Sequence, residues 1–339
     1  MRAMVMREQG PPSVLKLENI DIPVPAPDEV LVKVGAVGVS YHDVVERNGV
    51  YQRGLTFPRI MGYEIAGTVE RIGALVTTLK PGDRVCSKAV SSCGLCRYCR
   101  NGMETACRKR KGVRGGYAEY AAVAEEAMVK IPDSLPYRIA CQLGAATGVA
   151  LNAVRDVARV NLTDTVLVTG ASGGLGLPTI EIAKLAGAKV IALTRSEAKR
   201  APLIEAGADH VVIANEQGDF AKEVMTITNG VGASVVIDNV GSRVFTQGFK
   251  ALAVGGRYTL VGQLFREEVS INPARIFFKR AHILGVGSVR RDQLEDAIML
   301  AAEGRVRPRV ARVFKLEQAP EAHALVEGGE MIGRVVLEP

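Results

Sequence analysis

The run Thr165–Gly176, Thr-Val-Leu-Val-Thr-Gly-Ala-Ser-Gly-Gly-Leu-Gly, constrains this chain more than any other stretch. Thr165–Thr169 is a short β-branched run that reads as a buried parallel strand. Gly170, Gly173, Gly174 and Gly176 then let the backbone turn tightly and approach a ligand without Cβ clashes. Leu175–Ala186 continues with helical periodicity, Pro178 in the tolerated first turn and Gly187 as the stop. Strand signals recur at Lys189–Leu193, His210–Ile213, Ser234–Asp238, Arg257–Val261 and His282–Gly287. Helical stretches, including Phe220–Thr228 and Ser242–Leu252, separate them. This alternation predicts an α/β fold with a doubly wound parallel sheet. A glycine turn alone reads equally as a plain strand–helix connection. Followed by this succession it predicts a dinucleotide site, with the pyrophosphate against the helix N-terminus and Gly170, Ser172, Gly173, Gly174 and Leu175 around it.

At 339 residues the chain is too long for one comfortable core, so two domains are expected. Residues 1–130 are β-rich, with strand composition at Val30–Val34 and Glu64–Ile72 and turn signals at Pro11-Pro12, Pro23 to Pro27 and Pro81-Gly82-Asp83. Tyr137–Val157 is mostly helical in pattern, and Gln293–Glu303 predicts another helix. The expected division is a first domain at 1–147, a cofactor domain at 148–287 and a return to the first domain at 288–339. No run approaches eighteen apolar residues and the start lacks a signal-peptide pattern, which points to the cytoplasm and away from membranes. Net charge is +7, with a basic cluster at Arg108, Lys109, Arg110, Lys111 and Arg114. Without interleaved aromatics or a binding module, the cluster argues against nucleic acid. It reads as a solvated loop or as attraction for an anionic substrate or cofactor.

The end of the second strand of the sheet bears on which nicotinamide nucleotide fits. An acid there grips a ribose 2′-hydroxyl, whereas cations and hydroxyls accommodate a 2′-phosphate. The chain offers Thr194-Arg195-Ser196 with Lys199 one helical turn on, and Glu197 as the nearest acid. NADP(H) is therefore expected. The plainer reading of Arg195 and Lys199 is solvated helix charge. Topology adds Asn239 and Val240, Gly262, Gly287 and Ser288 as linings at the carboxyl edge.

Cys93, Cys96, Cys99 and Cys107 give C-x2-C-x2-C-x7-C on a loop-like segment, about 93–107. Four thiolates complete a tetrahedral zinc and leave no position for water, which predicts one structural Zn2+. An iron–sulfur cluster or reactive thiols are the other readings. Cys86 and Cys141 read as small buried side chains.

Taken together, Gly62-Tyr63-Glu64 with Gly67, the cysteine lobe, Gly-Gly-Tyr-Ala-Glu-Tyr at 115–120, the glycine turn and the closing Gly-Arg-Val-Val-Leu resemble the medium-chain dehydrogenase/reductase superfamily nearly end to end. The resemblance implies a Rossmann domain beside a β-rich, GroES-like catalytic domain, and an oligomer, either homodimer or homotetramer. It also implies Arg334 near the cofactor pyrophosphate and Thr147 near the nicotinamide.

Three positions depart from the zinc alcohol dehydrogenases of that superfamily. Where their catalytic zinc takes Cys, His and a later Cys or acid, this chain has Ser40, Tyr63 and a position near Ala145. Serine and tyrosine are not normal zinc ligands and alanine has no donor. The chain resembles instead the zinc-free quinone oxidoreductases and acryloyl-CoA-type enoyl reductases. That implies NADPH-dependent hydride transfer to an activated C=C of a small molecule (enone, quinone or enoyl thioester). Ser40, Tyr41, His42, Tyr51 and Tyr63 fall in or beside the elements that form the family's substrate cleft, and a Tyr or His there can protonate an enolate. Any one of them reads equally as a packing residue. The competing expectations are an alcohol dehydrogenase or ketone reductase without catalytic metal, and a non-enzymatic NADPH-binding protein.

Overall fold

The computed structural model describes residues 1–50, 55–215 and 217–339. It divides into two compact units, Met1–Gly148 with Ser288–Pro339, and Val149–Gly287. The second unit thus opens one residue later than expected.

The first unit is built on a seven-stranded sheet. Its main path runs Met128–Lys130, Arg84–Ser87, Glu64–Ile72, Glu29–Val39, Arg334–Glu338, Val310–Lys315, and Tyr120–Ala124 pairs with the first half of Glu29–Val39. Glu29–Val39 is flanked on one side by Glu64–Ile72 and on the other by Arg334–Glu338, both antiparallel. Buried on both faces, it reads as a near-continuous apolar run: Val30, Leu31, Val32, Val37 and Val39 are all buried. Each such side chain contributes roughly 1.5–3 kcal/mol when fully buried, which makes this strand the centre of the unit's core. The helix Tyr41–Arg47 leaves that strand through a capping box, in which the Ser40 side chain accepts from Asp43 N–H and the Asp43 side chain accepts from Ser40 N–H.

Tyr137–Val157 is helical but not one α-helix. Leu143–Gly148 and Asn152–Val157 are π-helical, with the Thr147 N–H reaching back five residues to Gln142 C=O. A Cβ on Gly144 would lie 2.2 Å from Ser87 O, so tertiary contact rather than local propensity sets the backbone there.

The second unit has a six-stranded, wholly parallel sheet: His210–Ile213, Lys189–Thr194, Thr165–Val168, Ala233–Asp238, Leu252–Leu260, His282–Gly285. The order reverses on either side of Thr165–Val168, which places the topological switch point at the glycine turn. Five of these strands match the expected ranges to within two residues at either end. The remaining one begins at Leu252 rather than Arg257, because the helix Ser242–Ala251 passes directly into it. The Val254-Gly255-Gly256 stretch that reads as a connection is part of the strand.

Candidate active site

In the second unit the glycine turn is sterically committed. Gly170 adopts φ +57°, and a Cβ on Gly176 would lie 2.3 Å from Gly170 O. The helix Gly176–Leu185 starts there, with Leu175 as its N-cap residue. Gly173 and Gly174 sit inside the turn, and the Gly173 N–H donates to Gly170 C=O. Ser172 Oγ lies 3.3 Å from Lys199 Nζ, a bond that ties the turn to the end of the second strand. Lys199 is buried rather than a solvated helix charge.

Thr194 ends its strand and Ser196 follows at half exposure, its N–H donating to Thr194 Oγ1. Arg195 is exposed and forms no ion pair with a described residue. Glu197, the nearest acid, is held by Arg200 at 2.5 Å. Asn239 Nδ2 donates to Thr169 C=O at 2.9 Å, and a Cβ on Gly262 would meet Asn239 O at 2.6 Å. Gly287 closes the second unit, whereas Ser288 belongs to the first.

Asp238, which sequence reasoning passed over, organises this edge. It accepts from Thr169 Oγ1, the N–H groups of Val240 and Gly241, and the Tyr258 hydroxyl, all at 2.7–3.0 Å. Burial raises its pKa against those bonds. Its signal was its place, an acid ending a central strand.

In the lobe, Cys93, Cys96, Cys99 and Cys107 bring their sulfurs within 4.8 Å of one another. The contacts Cys96–Cys99 at 3.5 Å, Cys107–Cys93 at 3.6 Å and Cys93–Cys99 at 4.0 Å bracket the ~3.8 Å sulfur spacing of a tetrahedral zinc with bonds of about 2.3 Å. The backbone N–H groups of Leu95 and Cys96 pull the Cys93 thiol down to about 6, toward the thiolate that a metal requires. Donor type and spacing fit zinc. Cys86 is pushed up to about 12 by burial, and Cys141 is raised for the same first reason.

Two of the three positions that depart from the zinc dehydrogenases, Ser40 and Tyr63, form a hydrogen-bond chain with Asp43. Ser40 Oγ donates to Asp43 Oδ2 at 2.7 Å and lies 2.9 Å from the Tyr63 hydroxyl. Asp43 is fully buried, and burial raises its pKa, opposed by the charge of His42 and by the Ser40 bonds. Burial, then the charges of Glu64 and Asp43, hold the Tyr63 phenol well above its usual range. His42 stands at the surface, its side chain 53% exposed, with its ring edge-on to Tyr63 at 5.1 Å and Nδ1 4.0 Å from Glu46 Oε2. Tyr41 packs half-buried on the core, and Tyr51 lies outside the described residues. Ala145 lies half-buried in the first π-segment, and Thr147 is buried there with no hydrogen-bond partner for Oγ1.

Behind Tyr63, Glu64 pairs with Arg334 at 3.1 Å. Register explains the contact: Gly38 faces Glu64 on one side and Val336 on the other. A Cβ on Gly38 would lie 2.1 Å from Glu64 Oε2, so only glycine lets the carboxylate lie across the central strand to reach Arg334. Burial pushes Glu64 up to about 7, with Arg334 opposing and Asp43 adding to the rise. Arg334, which the resemblance implied near the cofactor pyrophosphate, is thus buried and paired with a carboxylate of its own unit.

Residues 26–133 match the alcohol dehydrogenase GroES-like domain and residues 174–303 the zinc-binding dehydrogenase domain. An acryloyl-coenzyme A reductase of Sulfurisphaera tokodaii is 33% identical over all of both chains. The chain belongs to the medium-chain dehydrogenase/reductase superfamily. An NAD-dependent alcohol dehydrogenase of the same organism is 35% identical, again over all of both chains, so both named activities occur among relatives of this superfamily member. The crystal structure of AibC superposes with a TM-score of 0.92 at 40% identity, covering 100% of this chain and 96% of that one. An oxidoreductase fold of this superfamily thus carries a four-cysteine lobe beside a Ser–Tyr–Asp chain.

Proposed function

We propose that the protein reduces an activated C=C of a small molecule with NADPH, using structural zinc in the lobe and no metal at the Ser40–Tyr63 pocket. The observation that carries this reading is the bonded series Tyr63, Ser40, Asp43, which engages the groups at two of the three would-be ligand positions with each other and with Asp43 Oδ2, while alanine stands at the third. NADPH, when bound, supplies the hydride. Arg195, which pairs with no described residue, and the engagement of Glu197 by Arg200 support a 2′-phosphate over a bare ribose. The turn from Gly170 to Leu175, with Asn239, Val240 and Gly262, would hold the dinucleotide.

Reduction of a conjugated alkene leaves an enolate that needs a proton at carbon. The Tyr63 hydroxyl is the donor: it ends the bonded series, and Ser40, 2.9 Å away, offsets the burial that would otherwise disfavour the phenolate left behind. As that proton leaves, the Ser40 hydroxyl turns from Asp43 Oδ2 to the Tyr63 oxygen and passes its proton there, and Asp43, whose pKa burial raises, resupplies serine and ends as the carboxylate. The transferred charge thus comes to rest on Asp43 and none is stranded on serine. His42, edge-on to Tyr63, borders the donor from the solvent side. Thr147, with an unpaired buried hydroxyl, would line the nicotinamide side.

Exposed Phe277 and Phe278, 73% and 76%, beside the open edge strand His282–Gly285, support a homodimer or homotetramer. Among the described residues no helix is long and apolar enough to cross a membrane. The reduced cysteine set favours the cytoplasm.

Following NADPH oxidation with an enone or enoyl thioester against the matching saturated ketone tests the reading. Turnover of the alkene is expected, and turnover of the ketone alone would overturn it in favour of a ketone reductase. In the same assay Arg195→Ala should lower the preference for NADPH over NADH roughly tenfold.

A further inference from the structure

Arg47, His323 and Tyr117 form a buried polar series that the proton transfer does not use. Arg47 is 1% exposed, and His323 and Tyr117 are fully buried. Arg47 ends the helix Tyr41–Arg47, and its guanidinium has three partners. Nε donates to His323 Nδ1 at 3.2 Å, Nη1 to Gly10 C=O and Nη2 to Glu327 Oε2 at 2.8 Å. His323 and Glu327 stand one turn apart on the helix Ala319–Gly328, so a single face of that helix holds the arginine. The other ring nitrogen, His323 Nε2, lies 3.0 Å from the Tyr117 hydroxyl. A guanidinium carries donors only, so Nδ1 accepts, the imidazole proton sits on Nε2, and the tyrosine oxygen accepts from it. Burial, then the charge of Arg47, brings the His323 pKa down to about 3, which keeps the ring neutral and this tautomer in place.

Each end of the series holds one arm of the pocket. Arg47 lies four residues beyond Asp43 on the short helix that Ser40 caps, so fixing Arg47 fixes the arm that carries both. At the other end Tyr117 packs on the approach to Tyr63. Its N–H donates to Met61 C=O at 3.0 Å, and the Gly116 N–H donates to Gly62 C=O at 2.9 Å. A Cβ on Gly62 would lie 2.4 Å from Tyr117 Cδ1, so the phenol ring lies directly on the residue before Tyr63. The Ser40–Tyr63 contact at 2.9 Å therefore closes a ring that runs through the helix, Arg47, His323, Tyr117 and Gly62. Such a ring fixes a distance that neither arm fixes alone, and a slip of about 0.5 Å turns a hydrogen bond into a mere contact. We propose that His323 is a positioning residue for the acid, joining Arg47 to Tyr117 so that Ser40 stays within bonding distance of Tyr63. The proposal rests on the reading of Tyr63 as the proton donor, although the positioning itself can be tested without turnover.

Three variants separate the possibilities. Tyr117→Phe deletes one hydroxyl and keeps the ring on Gly62, and His323→Phe removes both ring nitrogens. His323→Gln offers an amide oxygen to Arg47 and an amide N–H to Tyr117. Rates are taken with an enone, at a temperature where each variant is folded and holds one zinc. Tyr117→Phe and His323→Phe should lower kcat about fivefold with KM nearly constant, and His323→Gln should restore it. In a Ser40→Ala background the two Phe changes should cost less than about twofold, because the bond they act through is already gone. Equal losses in both backgrounds, or a kcat that neither Phe variant changes, would overturn the proposal. If His323→Phe does not fold, Tyr117→Phe decides alone. In protein labelled with 3-fluorotyrosine, the Tyr63 fluorine resonance is assigned by its absence from Tyr63→Phe. It should move in both Phe variants toward its position in Ser40→Ala, and stay near wild type in His323→Gln. A resonance that stays put in the Phe variants would overturn the positioning role. If no alkene is reduced at all, the reductase reading fails, while this resonance still decides whether His323 holds Ser40 and Tyr63 together.

Discussion

In the cysteine lobe four sulfurs lie within 4.8 Å of one another, and one is drawn toward thiolate by amides aimed at it. In the Ser40 pocket the two hydroxyls and the carboxylate bond to each other at 2.7 and 2.9 Å. The lobe gathers four soft sulfur donors about one point, an arrangement that a cation completes. The pocket holds protons between oxygens, an arrangement that a cation would disrupt. On the proposed reading one polypeptide unit holds a metal in the lobe and moves a proton in the pocket, and the difference lies in whether the donors bond to one another.

The sharpest way to break this contrast is Tyr63→Phe. Removing the hydroxyl ends the series at its substrate end, and kcat should fall by about 10²- to 10³-fold, the range for loss of a general acid. Zinc content, measured on the same preparation, should stay at one per chain. A variant that loses zinc along with activity would show that the pocket holds metal after all. The converse change, Cys107→Ser, should abolish zinc binding and lower Tm by roughly 5 °C or more, since metal affinity contributes directly to folding stability. Below its melting range the variant should retain most of its kcat. A drop as large as that of Tyr63→Phe would sink the separation of roles.

Both sites differ in how openly the chain announces them. The lobe was legible because its four ligands fall within fifteen residues and local spacing suffices to close it. The parallel sheet was legible because β-branched runs and glycine punctuation repeat in order. The Glu64–Arg334 pair was not, because it exists only through the register of three strands: Gly38 stands between residues that lie far apart in sequence. Arg334 therefore read only as a cation for pyrophosphate, and its buried carboxylate partner went unread. The π-turns around Thr147 were invisible for a related reason. Their backbone answers to the approach of Ser87 at Gly144, which no local pattern encodes. Asp43 went unread as well, because its bonds to Ser40 form only once the helix that Ser40 caps is in place.

Acid–base behaviour offers a milder test on the pocket side of the comparison. Glu64 binds its proton with a pKa of about 7 in the fold, above its ordinary 4.5. The native state therefore holds more protons than the unfolded chain across that interval, and stability falls as pH rises through it. The contribution is fully present below about 4.5 and is lost above about 7. Glu64→Gln removes the titration, so melting curves taken from pH 5 to pH 8 should show the variant gaining on wild type as pH increases, by roughly 1–2 kcal/mol once the pairing with Arg334 is allowed for. The lobe variant Cys107→Ser has no reason to show that crossing. Parallel wild-type and Glu64→Gln profiles would remove the buried acid from the account.

The smallest expected effect comes from the middle of the series. Ser40→Ala deletes the hydroxyl that passes a proton from Asp43 to Tyr63 and also the side-chain cap of Tyr41–Arg47, the latter worth about 1 kcal/mol of stability. Tyr63 keeps its own proton, so the first transfer to substrate survives and only its replenishment is slowed. A fall of about tenfold in kcat is expected, with KM nearly constant, because the interaction is made during proton transfer rather than on binding. Ser40→Thr retains both the hydroxyl and the cap and should restore the rate. Ser40→Asn retains a cap and lacks the hydroxyl, so it should match alanine in rate while matching serine in stability. If asparagine also restores the rate, Ser40 serves the helix alone and Tyr63 draws its proton from elsewhere. If alanine lowers kcat as far as Tyr63→Phe does, the series transfers its proton as one concerted unit, and serine is as much a part of the acid as the phenol.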